Sequence, residues 1–396
     1  MEELESNIQQ ENKKLSKPLI AGIAYFSAVV LFILLKIAMQ LGCFSTLDST
    51  TLNIVSTILI QIIIVLAVPF AIFSILSKKN ISKSLKEIGF RKISGKSLLV
   101  CFGMGVCVYV VVLCISNVWS FILTLFGVGY LPSTTVTEDK SWITNPWIIL
   151  LLDIVLTAVL PAICEEILHR GILLNGLKKG GVVFALLGSS LCFGLLHMNI
   201  FQCVYAFVIG LLLGYLMLYT KSIVPCMIIH FMNNFINVLS DNCYQNGWLG
   251  GGVSGLQQTI MNSYGGKAYF LFVIILSLSV VGIIYGCKYL IKKERLEKEL
   301  KAMPQEFHEY YNNIKTQSSY VHVPSYSPYY AMIQSEYAFF MAYLQQKSNA
   351  RKCSILEVLE LPNGVESCFW YDKIFAISSI ISAGIFTLIS FFYYVI

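Results

Sequence analysis

Long uncharged apolar runs recur along all 396 residues and leave few folds open. "IVSTILIQIIIVLAVPFAIFSIL" is one of several. A run of about 18 or more such residues is long enough to cross the hydrocarbon core as a helix. In lipid a helix satisfies every backbone polar group within its own segment. Charged residues make up 13% of the chain, against about one quarter in soluble domains. The alternating pattern of a membrane β-barrel is absent. The expected fold class is all-α: a polytopic transmembrane helix bundle of about eight to nine spans, with a cytoplasmic segment before the last one.

The runs predict spans at 19–41, 52–76, 97–126, 145–164, 182–198, 201–219, 222–240, 267–290 and 372–396. Lys and Arg gather in alternate loops. Lys13, Lys14 and Lys17 precede the first span, "SKKNISKSLKEIGFRKISGK" follows the second, and "KKERLEKELK" follows the eighth. By the positive-inside rule the N-terminus is cytoplasmic. The net charge of +6 is thereby a topology pattern, not a nucleic-acid footprint. The N-terminal stretch is polar for too long to be a signal peptide and lacks a small-residue cleavage site, so the first span is expected to stay. This divides the chain into a cytoplasmic tail (1–18), N-terminal helices (19–144), a second helical group (145–290), a cytoplasmic Tyr-rich segment (291–371) and a C-terminal span (372–396). In that segment Glu294–Lys298 and Glu297–Lys301 stand at i, i+4 and predict a solvated helix ended by Pro304. The tyrosines beyond suit either the membrane interface or a small appended domain. The 12 cysteines show no C-x-x-C spacing, and most sit in apolar runs as small buried residues. Cys43 and Cys243 both fall in outside loops, where they can pair.

Ionisable residues inside spans are costly and usually functional. Of five histidines, His169, His197 and His230 lie between 161 and 234. In "PAICEEILHRG" (161–171) a helix puts Glu165 and His169 on one face and Glu166 and Arg170 on the next. Pro161 removes a backbone donor and favours a kink just ahead of the acids. Alone, the cluster reads as a charged juxtamembrane turn. In "SSLCFGLLHMN" (189–199) His197 follows Phe193 by four residues, a packing residue or a functional one. In "SIVPCMIIHFMNNF" (222–235) His230 and Asn234 share a face, which a helix–helix hydrogen bond also explains.

Together the three patches hold the inventory for attack of water on an amide. A buried Glu can act as general base. One His can share its proton or orient the water, and a second His with an Asn amide can donate to a tetrahedral oxyanion. The same groups are ordinary Zn²⁺ ligands. However, there is no H-E-x-x-H helix, and Asn is a better oxyanion donor than zinc ligand. The favoured reading therefore has no cofactor and no metal, with Zn²⁺ as the alternative.

"EEILHR" resembles the E-E-x-x-x-R motif of the CAAX protease and bacteriocin-processing (CPBP, or Abi) family. "FGLLH" resembles its F-x-x-x-H motif and "HFMNN" its H-x-x-x-N motif, in the same order. The resemblance covers roughly 145–240. It implies an intramembrane endopeptidase of glutamate type, related to the type II CAAX prenyl proteases, with 145–290 as the catalytic core. By that analogy Glu165 activates water with help from His197, and His230 and Asn234 form the oxyanion site. Glu166 and Arg170 are structural or orienting, and His169 stands at a variable motif position with no role carried over. The implied partners are the lipid bilayer and a membrane-associated peptide or protein substrate, prenylated or not, and no nucleic acid. Lys-, Ile- and Asn-rich loops suggest a bacterial plasma membrane. Two other classes fit the same helices. One is a non-catalytic membrane protein for bacteriocin self-immunity or partner binding. The other is a transporter, against which no paired inverted halves are found.

Overall fold

The computed structural model describes residues 15–128, 143–264, 268–303, 305–320 and 335–351. Among the described residues all regular structure is helical. The helices are α1 (Lys17–Gln40), α2 (Ser49–Leu76), α3 (Ile81–Glu87), α4 (Gly95–Leu125), α5 (Pro146–Gly180), α6 (Val182–Leu196), α7 (Ile200–Thr220), α8 (Val224–Asn246), α9 (Gly252–Tyr264), α10 (Ala268–Ile291), α11 (Gln305–Tyr320) and α12 (Glu336–Arg351). Polar side chains start several of them. Asp48 Oδ1 accepts the Thr51 N–H at 3.0 Å, and Asn145 and Asn199 cap α5 and α7 in the same way, each at 2.9 Å.

Among the described residues, six stretches are long and apolar enough to cross a membrane: Lys17–Gln40, Ser49–Leu76, Gly95–Leu125, Pro146–Gly180, Ile200–Thr220 and Leu271–Lys301. The expected spans at 182–198 and 222–240 differ from these. The first is the 15-residue helix α6, about 22 Å long at 1.5 Å per residue where the hydrocarbon core is about 30 Å. The second, α8, is long enough but carries Asn233, Asn234, Asn237, Asp241 and Asn242. The span expected at 372–396 lies outside the described residues.

Two long helices widen into π-helix, α2 over Leu59–Ala67 and α5 over Ile154–Val159. Each wide stretch ends two residues before a proline, Pro69 and Pro161. Proline offers no N–H to the carbonyl four residues back, and its ring crowds that carbonyl. The wider turn relieves the crowding, so the kink expected at Pro161 takes the form of a π stretch ahead of it. A second π stretch, Ile167–Leu174, follows directly after Glu166. The two acids thus sit on a short α-helical piece, Leu160–Glu166, between two widened ones.

Helices α6 and α7 form a tight hairpin turned by Met198 in the left-handed region, φ 48°. Small residues let the two backbones close up. A Cβ on Gly194 would stand 2.6 Å from the Cys203 carbonyl oxygen, and one on Gly210 would stand 3.0 Å from Ser190 Cα. At the Lys-rich end of α2, the turn after α3 docks on the α7–α8 turn. The Ile223 N–H donates to the Gly89 carbonyl at 2.9 Å, and Ser222 Oγ donates to that of Arg91 at 2.9 Å.

The described residues fall into two compact units divided between Cys287 and Lys288. The second unit has its own apolar core of Leu296, Leu300, Phe340 and Leu344, flanked by Phe307 and Met341. Its first helix is less solvated than its charges predict. Lys298 meets Glu294 at 2.6 Å, but Glu294 and Arg295 are buried, and Glu297 is engaged by Lys293 at 2.6 Å. Cys43 is an exposed free thiol and Cys243 a buried one, so the two do not pair.

Candidate active site

One phenyl ring gathers the polar motifs. Phe193, on α6, is buried. His169, His197 and His230 meet it edge-on, at centroid distances of 5.1, 5.2 and 5.6 Å. The Arg170 guanidinium lies 4.2 Å from its centre. These are attractive geometries for a ring whose face is negative and whose edge is positive. Groups from α5, α6 and α8 are thereby fixed against a single apolar anchor.

Glu166 ties α5 to α8. Its Oε1 accepts Arg170 Nη1 at 2.7 Å and His230 Nδ1 at 2.8 Å. Glu166 is 0% and Arg170 1% exposed. Arg170 Nη2 reaches on to the Gly210 carbonyl of α7 at 3.4 Å. A buried pair of this kind adds little net stability, but removing one partner costs about 3–5 kcal/mol because the other charge is stranded.

Glu165 points elsewhere. Its carboxylate Oε1 accepts Gln61 Nε2 of α2 at 2.9 Å, and its Oε2 is buried with no protein partner. Glu165 and His197 make no direct hydrogen bond with each other. His197 Nδ1 donates to the Phe193 carbonyl at 2.8 Å, which in the neutral ring leaves the lone pair on Nε2. Asn234 Nδ2 donates to the Thr157 carbonyl at 3.1 Å, and its Oδ1 accepts Asn233 Nδ2 at 3.1 Å. The second Asn234 N–H remains to be spent. His169 Nδ1 donates to the main-chain carbonyl of Glu165 at 2.8 Å, and its ring edge meets Tyr25 of α1 at 5.7 Å.

Several buried polar atoms here have no protein partner: Gln61 Oε1, Glu165 Oε2, Glu166 Oε2, His169 Nε2 and Asn233 Oδ1. Buried polar groups are normally satisfied, so such a cluster suits a place that takes up water or a polar substrate. Among the described residues no group of three or more His, Cys, Asp or Glu is arranged to hold a metal ion.

Sequence reasoning missed Gln61, Tyr25 and the anchoring role of Phe193. Gln61 had a visible mark, since it is the only polar side chain between Ile58 and Phe73. Tyr25 had none, because aromatic residues are ordinary in spans. A second polar contact between α5 and α8 was also missed, Asn242 Nδ2 to Asp153 Oδ2 at 3.0 Å.

Residues 146–236 match the family described as type II CAAX prenyl endopeptidase Rce1-like. No curated protein and no solved structure matches the chain. The match begins at the first residue of α5 and ends within α8, so it encloses Glu165, Glu166, Arg170, Phe193, His197, His230 and Asn234. Its long apolar helices and this match support an integral membrane protein, and the family matched is one of proteases. Over residues 146–236, about a quarter of the chain, the protein is similar to the type II CAAX prenyl endopeptidase Rce1-like family.

Proposed function

We propose that the protein is a glutamate-type intramembrane endopeptidase that cleaves a membrane-associated peptide or protein without a metal. The observation that carries this reading is the convergence on Phe193. A carboxylate helix, an imidazole helix and an imidazole–amide helix meet where several buried polar atoms are unspent.

Glu165 Oε2 takes a proton from a water molecule while the water oxygen attacks the scissile carbonyl carbon. His197 Nε2 accepts the water's other hydrogen and aims it. The carbonyl π electrons move onto oxygen, giving a tetrahedral oxyanion. Asn234 donates its second N–H to that oxygen. His230 donates from Nε2, which requires the doubly protonated ring because Nδ1 already donates to Glu166. Glu166 supplies the counter-charge, and Arg170 holds Glu166 in place. On collapse the C–N bond breaks, the amine nitrogen takes the proton from Glu165, and the new carboxyl end leaves.

The test compares membranes from cells producing wild-type or Glu165→Gln protein. It seeks C-terminal or intramembrane fragments that need the glutamate, with folded protein levels matched. A fragment present only with wild-type supports the reading. Equal fragments from both sink it, and full phenotypic complementation by Glu165→Gln and by His197→Ala would mark a non-catalytic partner-binding protein. Loss of cleavage on chelation and its return with Zn²⁺ would replace the metal-free mechanism.

A further inference from the structure

Among the described residues, Gln61 is the one protein group that hydrogen-bonds the Glu165 side chain. It comes from α2, 104 residues away in sequence and outside the matched segment. It is 9% exposed, on a helix whose other residues from Ile58 to Phe73 are apolar. An unpaired amide there would be costly. Its place within the π stretch Leu59–Ala67 matters too. The wider turn rotates side chains away from the α-helical pitch, and such bulges are frequent at functional sites.

We propose that Gln61 is a positioning residue that locks the Glu165 carboxylate for proton transfer. The proposal rests on the reading of Glu165 as the base. The terminal torsion of a Glu side chain is broad and nearly two-fold, so an unheld carboxylate would present either oxygen in many directions. The Gln61 Nε2–H fixes Oε1 and leaves Oε2 as the one oxygen for water. Only the amide nitrogen can face the carboxylate, since the amide oxygen would repel it, so the arrangement has one sense. The amide is neutral and orients the base without cancelling its charge, which Lys or Arg would do. A purely structural account makes the same bond a tie between α2 and α5, as polar pairs in membrane helices often are.

The two accounts separate with Gln61→Met, which keeps length and suits an apolar span. Infrared difference spectra of the purified full chain identify the Glu165 carboxyl band as the one lost in Glu165→Gln. In Gln61→Met that band is expected to shift, while the release rate of the Glu165-dependent fragment falls about ten- to a hundred-fold per folded molecule. An unmoved band, or a rate unchanged once folded protein is matched, overturns the proposal. If Glu165→Gln itself still cleaves, the reading of Glu165 as base fails instead, and the band still decides whether Gln61 holds it.

Discussion

The carbonyl oxygen of Thr157 accepts the side-chain amide of Asn234 at 3.1 Å, and Pro161, four residues further on, has no N–H to claim it. In a regular helix that carbonyl would be occupied. The proline thus opens a docking point on α5 for the amide of α8. Pro161→Ala supplies a competing N–H, so the helix is expected to fold at least as well while Asn234 loosens. The thermal midpoint should hold or rise, and release of the Glu165-dependent fragment should fall about tenfold. Wild-type rates in Pro161→Ala would show that the freed carbonyl has no part in placing Asn234.

Arg170 makes a different prediction, because it is buried with Glu166. Arg170→Ala strands the Glu166 charge and removes the guanidinium from Phe193, at a cost of about 3–5 kcal/mol. Arg170→Lys keeps the charge but not the planar fork that spans Glu166 and the Gly210 carbonyl. Unfolding in detergent should therefore rank wild-type above Lys and Lys above Ala. Equal midpoints for Lys and Ala would mean that charge alone contributes nothing here.

The apolar runs made the helical class legible, since a 20-residue uncharged stretch has few other fates in lipid. The three motifs made α5, α6 and α8 legible as carriers of the polar groups. Local pattern carries no record of which distant helix packs beside Glu165, so Gln61 and Tyr25 were not read. The span at 182–198 is visibly short and carries Gly188 and Gly194, small residues that let helices approach closely. Its hairpin with α7 is not visible, because it depends on Gly210 meeting Ser190 in the packed bundle. The i, i+4 charges after α10 were visible as pairs. Their burial was not, because it depends on Leu296 and Leu300 turning into a core with α12.

Glu87, at the end of α3 and outside the spans, links pH to stability. Partial burial pushes its carboxyl up, but hydrogen bonds and charge from Lys79 and Lys17 outweigh that and hold it below the usual glutamate value. Lys17 lies 3.1 Å away, and its side chain is 54% exposed. A group bound more weakly to protons when folded stabilises the fold above its unfolded pKa, and the contribution disappears as pH falls through the lowered folded value. Solvent screening keeps it below about 1 kcal/mol. Glu87→Gln should lower the melting midpoint slightly at pH 7 and make no difference at a pH below the glutamate range. A gap between the two proteins that widens on acidification would reverse the assigned sign.

Cys43 offers a test of orientation. It lies in the turn between α1 and α2 as an exposed thiol, while Cys243 is buried. The basic loops predict a cytoplasmic N-terminus, which would send the α1–α2 turn to the outer face. A membrane-impermeant maleimide added to intact cells is therefore expected to label the wild-type chain, and Cys43→Ser should abolish that labelling. Labelling of Cys43 only after the cells are opened would invert the topology. It would also move the Lys-rich loop after α2, and with it the end of α5 that follows Glu165, to the outer side.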